Sequence, residues 1–407
     1  MQASFTRPVS LVICFAVAVL AGRAIAEDSS RPFRFIYNSD ANHMYYYDTP
    51  PMTVEQLQKY VDEVVGTGVT TFFASPNWGM MMSYPGDVCE MIGDGLSDDE
   101  KREYLRIGIE KDKSSERAIS NIHAILDSGH DPFGVMIDRA REQGLEVFVS
   151  FRLNEIHDVQ NPDSMIVSRF WKEHPEWRVG KIGDEITPLF REIIGGRPEH
   201  RVHPIVASWF PGALNFAVPQ VRQRRLAQLR ECCERYDIDG LDLDFQRFPI
   251  YFPQDEGAEH TETMTAWMRQ VRDMTSEIGE QRGRPLLLSA RILARPEQNL
   301  AIGLDPFTWA NEELVDFVTV SHYLRNDFPL PVGEFRRRFP AEIPVYASVE
   351  VEKEADSFRR IARELYQDGA DGLMMFNFFT RREGSQEPDF SLFEELSDRH
   401  RLVPEQP

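Results

Sequence analysis

The segment Tyr236-Asp-Ile-Asp-Gly-Leu-Asp-Leu-Asp-Phe-Gln-Arg-Phe-Pro249 interleaves acidic and apolar residues with a period of two. On a β-strand this alternation turns the two leucines to one face and Asp242, Asp244 and Gln246 to the other. A strand that buries its apolar face under helices and turns acids the other way is typical of a parallel barrel. Because barrel active sites lie at the carboxyl ends of the strands, Asp244 is the first candidate for a catalytic residue.

Eight apolar segments of strand length occur along the chain, at Phe33–Tyr37, Val69–Ser75, Leu145–Phe151, Ile238–Phe245, Leu286–Arg291, Phe317–His322, Val345–Glu350 and Leu373–Phe378. Amphipathic helical patterns lie between them or follow them, at Val54–Val65, Gly134–Gln143, Val221–Tyr236, Thr263–Ile278, Ala355–Gln367 and Leu392–His400. Repeated strand–helix units with eight strands favour a closed (β/α)8 TIM barrel of the α/β class over an open doubly wound sheet. No glycine-rich phosphate fingerprint follows the first strand, which weakens the dinucleotide-binding alternative.

Two long polar segments interrupt the regular spacing, at residues 77–131 after the second strand and 154–219 after the third. Insertions of this length are usually functional or contain small elements of their own, and both would project from the active-site face of a barrel. The chain shows no internal repeat and no linker that would divide it. We therefore expect residues 27–407 to form a single domain.

The amino terminus has the pattern of an export signal. Arg7 gives a positive start, residues 11–21 form an apolar run, and Ala24-Ile-Ala26 fits a signal-peptidase site. The run is short for a permanent membrane helix, and no cysteine follows it to anchor a lipid. We expect residues 1–26 to be removed, and the protein to be secreted or periplasmic without membrane insertion.

The 407-residue chain is strongly acidic, with 45 basic and 66 acidic side chains and a net charge of −21. Such a charge repels nucleic acids and anionic membranes, so neither is an expected partner. It argues only weakly against sulfated or uronate polymers, because a local basic cleft can overcome the global field. Beyond the signal, Cys89, Cys232 and Cys233 remain, which is no disulfide framework, and burial as small apolar side chains is the favoured interpretation of the adjacent pair. The oligomeric state is left open.

One family resemblance covers residues 170–250. Leu214-Asn-Phe-Ala-Val-Pro-Gln-Val-Arg, followed by a helix and the Asp-rich strand, resembles the glycosyl-hydrolase-like family 10 barrels of bacterial carbohydrate-degrading systems. Asp244, Arg247 and Pro249 match that family's motif, and His174-Pro-Glu-Trp resembles its segment upstream of the helix. The resemblance implies a glycosidase-type barrel with Asp244 at the tip of the fourth strand.

A second resemblance concerns the same strand. Asp239-Gly-Leu-Asp-Leu-Asp-Phe-Gln246 is similar to the Asp-Gly-x-Asp-x-Asp-Trp-Glu signature of family 18 chitinases, but Gln246 replaces the proton-donating Glu. An amide has no titratable proton, so a chitinase-type acid at this position is excluded. The chain is then either a chitinase-like binding protein or an enzyme that uses other carboxylates.

Glycosidic bond cleavage normally needs two carboxyl groups, which lie ~5–5.5 Å apart in retaining enzymes and about 6.5–9.5 Å apart in inverting ones. Glu350 ends the seventh strand candidate, whose tip faces that of the fourth across a barrel mouth, so we predict Glu350 as the partner of Asp244. Glu352, Asp327 and Glu155 are rival partners because each follows a strand candidate. The alternative for Glu350 and Glu352 is that they open the next helix, where acids favour the positive dipole end.

Polar and aromatic residues near strand ends are the candidates for sugar binding, namely Asp242, Arg247, Trp78, Arg152, Asn154, His322, Tyr323 and Asn377. Trp78 is either a stacking platform or a packing residue. Arg247 either binds substrate or orients an acid. His200 and His203 are too few and too closely spaced for a zinc site, so we expect neither metal nor cofactor.

The sequence thus predicts an exported glycoside hydrolase that acts on a poly- or oligosaccharide, with Asp244 as nucleophile or electrostatic stabiliser and Glu350 as proton donor. The alternative is a non-catalytic carbohydrate-binding barrel. The sugar, the linkage and the stereochemical outcome are not predicted.

Overall fold

The computed structural model describes residues 32–40, 43–110, 113–161, 163–195, 204–324, 326, 329–350, 352, 354–384 and 386–403. Its strands are β1 (Phe35–Ser39), β2 (Thr71–Ala74), β3 (Asn77–Trp78), β4 (Met81–Met82), β5 (Glu146–Arg152), β6 (Gly240–Asp244), β7 (Leu287–Leu293), β8 (Phe317–Ser321), β9 (Val345–Val349) and β10 (Leu373–Met375). Eight parallel strands close into a barrel in the order β1-β10-β9-β8-β7-β6-β5-β2, and β3 and β4 form a separate antiparallel pair. The predicted (β/α)8 barrel is confirmed, with a strand at each of the eight predicted positions.

Helices cover the outside of the barrel and fill its insertions. They are α1 (His43–Tyr46), α2 (Val54–Asp62), α3 (Asp98–Glu110), α4 (Ser114–Asp127), α5 (Pro132–Glu142), α6 (Arg169–Glu173), α7 (Pro188–Gly195), α8 (Pro204–Trp209), α9 (Pro219–Arg235), α10 (Thr261–Arg282), α11 (Pro296–Ala301), α12 (Pro306–Asn311), α13 (Val332–Arg338), α14 (Ala355–Gln367), α15 (Leu392–Leu396) and α16 (Arg399–Leu402). The last predicted helix is two helices, because the Asp398 side chain accepts the Arg401 N–H and caps α16 separately.

The side chains inside the barrel change from apolar to polar along the strands. Near the amino ends an apolar cluster fills the interior, consisting of Ile36, Phe73, Phe148, Phe317, Tyr346 and Met374. Two residues further along, Ser150, Asp242 and Ser289 stand in register on β5, β6 and β7, and the next such row is Arg152, Asp244 and Arg291. The acids of β6 therefore lie above an apolar floor and towards the carboxyl ends, as the period-two pattern predicts.

A glycine on β6 makes room for one ring of this floor. Gly240 pairs with Phe148 across β5 and β6, and a Cβ atom at position 240 would lie 2.1 Å from Cε1 of Phe148. Any larger residue would collide with a side chain that has no free space to enter, because both positions are fully buried. The glycine of the Asp-Gly-Leu-Asp sequence is thus required by packing.

A polar cluster closes the amino end of the barrel beneath the apolar floor. Arg34 forms two hydrogen bonds to the Glu146 carboxylate, at 2.6 and 2.8 Å, and one to the Tyr346 hydroxyl at 3.2 Å. Thr71 donates to the same carboxylate at 2.8 Å. These contacts join four strands or their approaches, so polar side chains fill this end of the barrel.

The insertions are tied to the barrel by side chains that bind backbone groups. Glu231 of α9 accepts the backbone N–H groups of Asp87 at 2.7 Å and Cys89 at 3.2 Å, which fixes the segment after β4 against that helix. Residues 77–131 contain the β3–β4 pair with α3 and α4, and residues 154–219 contain α6 to α8. Both segments therefore hold small elements of their own, as their lengths predict.

Cys89, Cys232 and Cys233 are buried and unbridged, and the last two lie on α9 as predicted. Within the described ranges, no helix has the length and apolar character needed to cross a membrane. The predicted signal segment, residues 1–26, lies outside the described residues. Its removal and the export of the protein stay predictions.

Candidate active site

Two acids on different strands contact one buried arginine. Arg291 at the end of β7 donates from Nη1 to Asp244 Oδ2 at 3.3 Å and from Nη2 to Glu350 Oε1 at 2.9 Å. Asp244 is 1% exposed and Glu350 is 4% exposed. The β6–β7 register sets Asp244 beside Arg291, and Glu350 follows the end of β9. The structure therefore brings together the two acids that the sequence predicts as partners.

The backbone after β6 orients the other oxygen of the Asp244 carboxylate. Its Oδ1 accepts the N–H groups of Gln246 at 2.9 Å and Arg247 at 3.2 Å. Since the chain turns back over the end of the strand here, the side chain is held from both sides, by the turn and by Arg291. Such double fixation is what a reacting group in a site needs.

Glu350 has the electrostatic environment of a proton donor. Burial and the nearby charge of Asp244 raise its pKa to about 8, against the opposing effect of Arg291. Asn326 fixes the backbone on both sides of Glu350, because its Oδ1 accepts the Glu350 N–H at 2.7 Å and its Nδ2 donates to the Glu350 carbonyl at 2.9 Å. A carboxyl group with this pKa is largely protonated at neutral pH and can donate.

Asp242 lies deeper in the barrel than Asp244. Ser150 donates to its Oδ2 at 2.8 Å and Ser289 donates to its Oδ1 at 2.7 Å, and the side chain is fully buried. Burial first, and then the charge of Asp244, raise the pKa of Asp242 to about 7. Substrate contact by Asp242 stays a prediction, while its two serine contacts make it a support beneath the Asp244 layer.

Arg152 forms a second arginine-centred cluster beside the first. It donates to Asp40 Oδ2 at 2.5 Å and to Glu155 Oε2 at 3.1 Å. Burial opposes ionisation of Glu155, but His157 at 2.6 Å and Arg152 outweigh it and lower the pKa of Glu155 to about 2. Glu155, a rival partner in the sequence, is therefore ionised at neutral pH and unsuited to donate a proton.

Gln246 links the tips of three strands. Its Nε2 donates to the carbonyl of Ile292 at 3.0 Å and also to that of Ser321, while its N–H binds Asp244. The side chain is buried. Gln246 thus stands where the chitinase signature has its acid, and here it crosslinks backbone groups of β6, β7 and β8.

Asn154 and Trp78, two of the predicted sugar-binding residues, have contacts that indicate a structural role. Asn154 is fully buried, accepts the Leu214 N–H at 3.1 Å and donates to the carbonyls of Leu214 and Ile250 at 2.9 and 2.5 Å. Trp78 lies on β3, is 6% exposed and packs edge-on against Tyr46 with ring centroids 5.6 Å apart. The burial of Trp78 favours the packing alternative, and Asn154 secures the second insertion.

His322, Tyr323 and Asn377 are three more of the predicted sugar-binding residues. His322 and Asn377 are half-buried, and Tyr323 is buried with its ring 6.4 Å from that of Phe248. Asn377 has a positive φ of 56°, which ends β10 earlier than predicted. Sugar binding by these residues stays a prediction.

Of the remaining rival acids, Glu352 is half-buried and accepts from Asn326 Nδ2 at 2.7 Å. Asp327 lies outside the described residues. The Asn326 side chain binds both Glu352 and the Glu350 backbone, so Glu352 lies next to the site.

Several buried polar atoms at the strand carboxyl ends have no hydrogen-bond partner within the described part of the chain: Ser39 Oγ, Asp40 Oδ1, Ser75 Oγ, Gln246 Oε1 and Asn377 Oδ1. They follow or end β1, β2, β6 and β10, so they border the same end of the barrel. Buried polar groups ordinarily find partners, and a set of unsatisfied donors and acceptors at one mouth is suited to sugar hydroxyls.

No group of three or more His, Cys, Asp or Glu side chains is placed to hold a metal ion among the residues that the structure describes. His200 and His203 are outside those residues.

Three further residues of the site, Arg291, His157 and Ser321, are not among those that the sequence predicts. Arg291 carries the same signal that identified Asp244, because Leu288, Ala290 and Ile292 alternate with Ser289 and Arg291 along β7. His157 and Ser321 had no comparable pattern, since their roles arise from contacts with distant strands. Ser321 Oγ accepts from Arg291 Nη2 at 2.9 Å.

The comparisons with known proteins give no family and no curated relative, because no family model and no curated sequence matches the chain. Similar solved structures include the PgaB (BpsB) glycoside hydrolase domain from Bordetella bronchiseptica (12% identity, 90% of this chain and 99% of that one, TM-score 0.48). Chitinase ChiW from Paenibacillus sp. (10%, 89% and 33%, TM-score 0.45) and an endo-1,4-beta-mannanase from Rhizomucor miehei (10%, 85% and 86%, TM-score 0.41) are others.

These similar structures are glycoside hydrolases, and the likeness concerns the fold alone. At such identities no residue role or substrate is carried over from them. The barrel itself rests on the strand pairing described above, and the family 10 resemblance stays a prediction.

Proposed function

We propose that this protein is a glycoside hydrolase that cleaves glycosidic bonds in a poly- or oligosaccharide, with Asp244 as nucleophile or electrostatic stabiliser and Glu350 as proton donor. The observation that carries the proposal is the shared contact of both carboxyl groups with Arg291. Because the two η-nitrogens belong to one rigid guanidinium, the bonded oxygens lie less than about 9 Å apart, which is not too far for the two carboxyl groups of a glycosidase.

The environments of the two acids suit different roles. Glu350 has a pKa raised to about 8 by burial and by Asp244, so it retains a proton to give to the leaving oxygen. Asp244 is oriented by two backbone N–H groups and by Arg291, which fixes its direction towards a reacting centre. Two carboxyl groups in unlike environments support an acid and a stabiliser on one site.

The experiment is digestion of a broad glycan panel by the wild type, Asp244→Asn and Glu350→Gln. We expect either substitution to lower turnover by about 1000-fold or more, since each removes a group that acts only in the transition state. Glu352→Gln is the matched control, because it neutralises an acid two residues from Glu350 and is expected to leave most activity. Undiminished hydrolysis by Asp244→Asn would remove Asp244 from the mechanism.

A non-catalytic carbohydrate-binding barrel is the second candidate, and the low exposure of Asp244 and Glu350 favours it. In that case the unsatisfied polar atoms at the mouth would bind sugar hydroxyls without bond cleavage. Affinity for a glycan of the panel, together with no turnover of any glycan, would support the binder against the hydrolase.

We also propose that the protein is exported after cleavage behind Ala26, on the basis of the amino-terminal pattern. Expression of the full chain in a bacterial host, followed by amino-terminal sequencing, tests this. A mature product that begins at Glu27 is expected, and an intact cytoplasmic chain would contradict it.

A further inference from the structure

Among the residues that the structure describes, Arg247 differs from Arg152 and Arg291 in having no acidic partner. Arg152 and Arg291 each contact two carboxylates, as described above. The Arg247 guanidinium, which is half-buried, forms no ion pair with any described acid. A partly desolvated charge without a counterion costs free energy unless a ligand supplies the opposite charge.

Arg247 is held in place by a histidine. His157 Nδ1 lies 2.6 Å from Glu155 Oε1, and His157 Nε2 lies 3.0 Å from Arg247 Nη2. An ionised carboxylate only accepts, so Nδ1 carries the proton and the Nε2 lone pair accepts from the guanidinium. The Glu155–His157 pair therefore orients Arg247 and leaves its positive charge uncompensated by direct contact.

Aromatic rings line the same corner of the mouth. The Arg247 guanidinium lies 5.0 Å from the Phe248 ring centroid, and the His157 ring lies 5.0 Å from Phe248 and 5.7 Å from Trp209. Trp209 is half-buried. Phe248 is buried, so the half-buried Trp209 is the aromatic side chain that a sugar ring next to this fixed cation can contact.

The position of Arg247 relates this corner to the proposed reaction. Its backbone N–H binds Asp244 Oδ1 at 3.2 Å, and Arg247 lies three residues after the proposed nucleophile in the turn that follows β6. An anionic group bound there would belong to a sugar unit at or next to the bond that is cleaved. The chain's net charge of −21 repels polyanions at long range. Selection of an anionic sugar therefore depends on direct contact with a cation such as Arg247.

We infer that the preferred ligand is a uronate-containing oligosaccharide whose carboxylate is bound by the Arg247 guanidinium. This inference rests on the proposed function for the place of the sugar, and it adds the chemical class of the substrate. A carboxylate is favoured over a neutral hydroxyl because the guanidinium fork matches its two oxygens and supplies the opposite charge.

The test measures binding in the Asp244→Asn background, so that no ligand is consumed. The probes are oligosaccharides of glucuronate, galacturonate and mannuronate, each compared with its carboxyl-reduced neutral form of the same linkage. We expect at least one uronate probe to bind about tenfold or more tightly than its reduced form. Adding Arg247→Ala should erase that difference, and Arg247→Lys, which keeps the charge without the fork, should retain part of it.

Arg230→Ala is the matched control, because it removes a positive charge from the outside of α9, where Arg230 pairs with Glu234 and Glu277. This variant should keep the full preference, and thermal melting confirms that every variant is folded. Equal affinity for a uronate and its reduced form, a preference that survives Arg247→Ala, or no binding to any probe overturns the inference.

Turnover by the wild type is scored separately from binding. Uronate binding that depends on Arg247, with no hydrolysis of the bound probe, leaves this inference standing and counts against the hydrolase. Hydrolysis of neutral glycans with no preference for uronates does the opposite.

Discussion

Arg291 and Asp244 stand in register on β7 and β6, and their side chains form an ion pair of 3.3 Å inside the barrel. Both side chains are almost completely buried. The same guanidinium also holds Glu350, so a single cation keeps two buried acids at one place. The consequences for stability and for protonation are separable by experiment.

Removing this cation should destabilise the protein strongly. Arg291→Met leaves two buried acids without their partner, and we expect a loss of about 3–5 kcal/mol in the free energy of unfolding at pH 8. The loss should shrink at pH 5, because Glu350, whose pKa is raised to about 8, is then protonated and no longer needs the cation. Urea denaturation at both pH values measures it.

The comparison for this variant is Arg269→Met on the outside of α10. Arg269 pairs with Glu262 and Glu312 at 2.7 Å, in solvent, and its loss should destabilise the protein far less than the loss of Arg291. A similar cost for both arginines would mean that the buried cluster contributes nothing beyond a surface pair.

The activity of the proposed hydrolase should have an alkaline limit set by Glu350. Its pKa of about 8 means that kcat falls above pH 8, because the ionised form has no proton to donate. A pH–rate profile on a cleaved glycan measures the limit. Activity that stays constant well above this pH would contradict the role of Glu350 as donor.

The same titration affects stability. The folded-state pKa of Glu350 is above the ordinary value of 4.5, so the folded protein binds the proton more tightly than the unfolded chain. Stability from this group is therefore full below pH 4.5 and is lost as the pH rises towards 8. Glu350→Gln should flatten that part of the stability–pH curve.

Gly240→Ala should destabilise the barrel by about 1–3 kcal/mol or more, because the added Cβ would lie 2.1 Å from the Phe148 ring. Phe148→Leu removes the ring atoms that collide. We expect the double variant to be more stable than the sum of the two single effects predicts, with a coupling of about 0.5–3 kcal/mol. Chemical denaturation of the four proteins completes the cycle, and strict additivity would exclude the collision as the cause.

Gln246→Glu restores the acid of the chitinase signature, but we expect it to add no chitinase-type activity. The amide donates to the carbonyls of Ile292 and Ser321, and a carboxylate would face those two acceptors. We expect a loss of about 2–4 kcal/mol that grows with pH as the new acid ionises.

Gln246→Met separates the causes in this experiment. It removes the same hydrogen bonds without adding a charge, so its cost should not vary with pH. A Gln246→Glu protein that is as stable as the wild type at pH 8 would contradict the contacts assigned to Gln246.

The sequence predicts the barrel well because its strands are encoded locally. In β6 and β7 the polar residues recur at every second position, and this alternation places Asp244 and Arg291 on the inner face before any tertiary contact is known. Strand ends are less certain: β10 stops at Met375 because Asn377 adopts a positive φ, which no periodicity announces.

The candidate site is predicted only in part, because its groups come from distant positions. Asp244 and Glu350 are found from strand ends, whereas Asn154 follows a strand in the same way and instead binds the backbone of residues 60 and 96 positions away. The role of His157 depends on the approach of Arg247 from another loop. Such pairings depend on three-dimensional arrangement and leave no local pattern.

The apolar floor and the Arg34–Glu146 cluster occupy the amino end of the barrel. In the proposed hydrolase a sugar would therefore reach the acids from the carboxyl ends of the strands, and the products would leave in the same direction. Slow departure along that path would make product release, and not bond cleavage, the step that limits turnover.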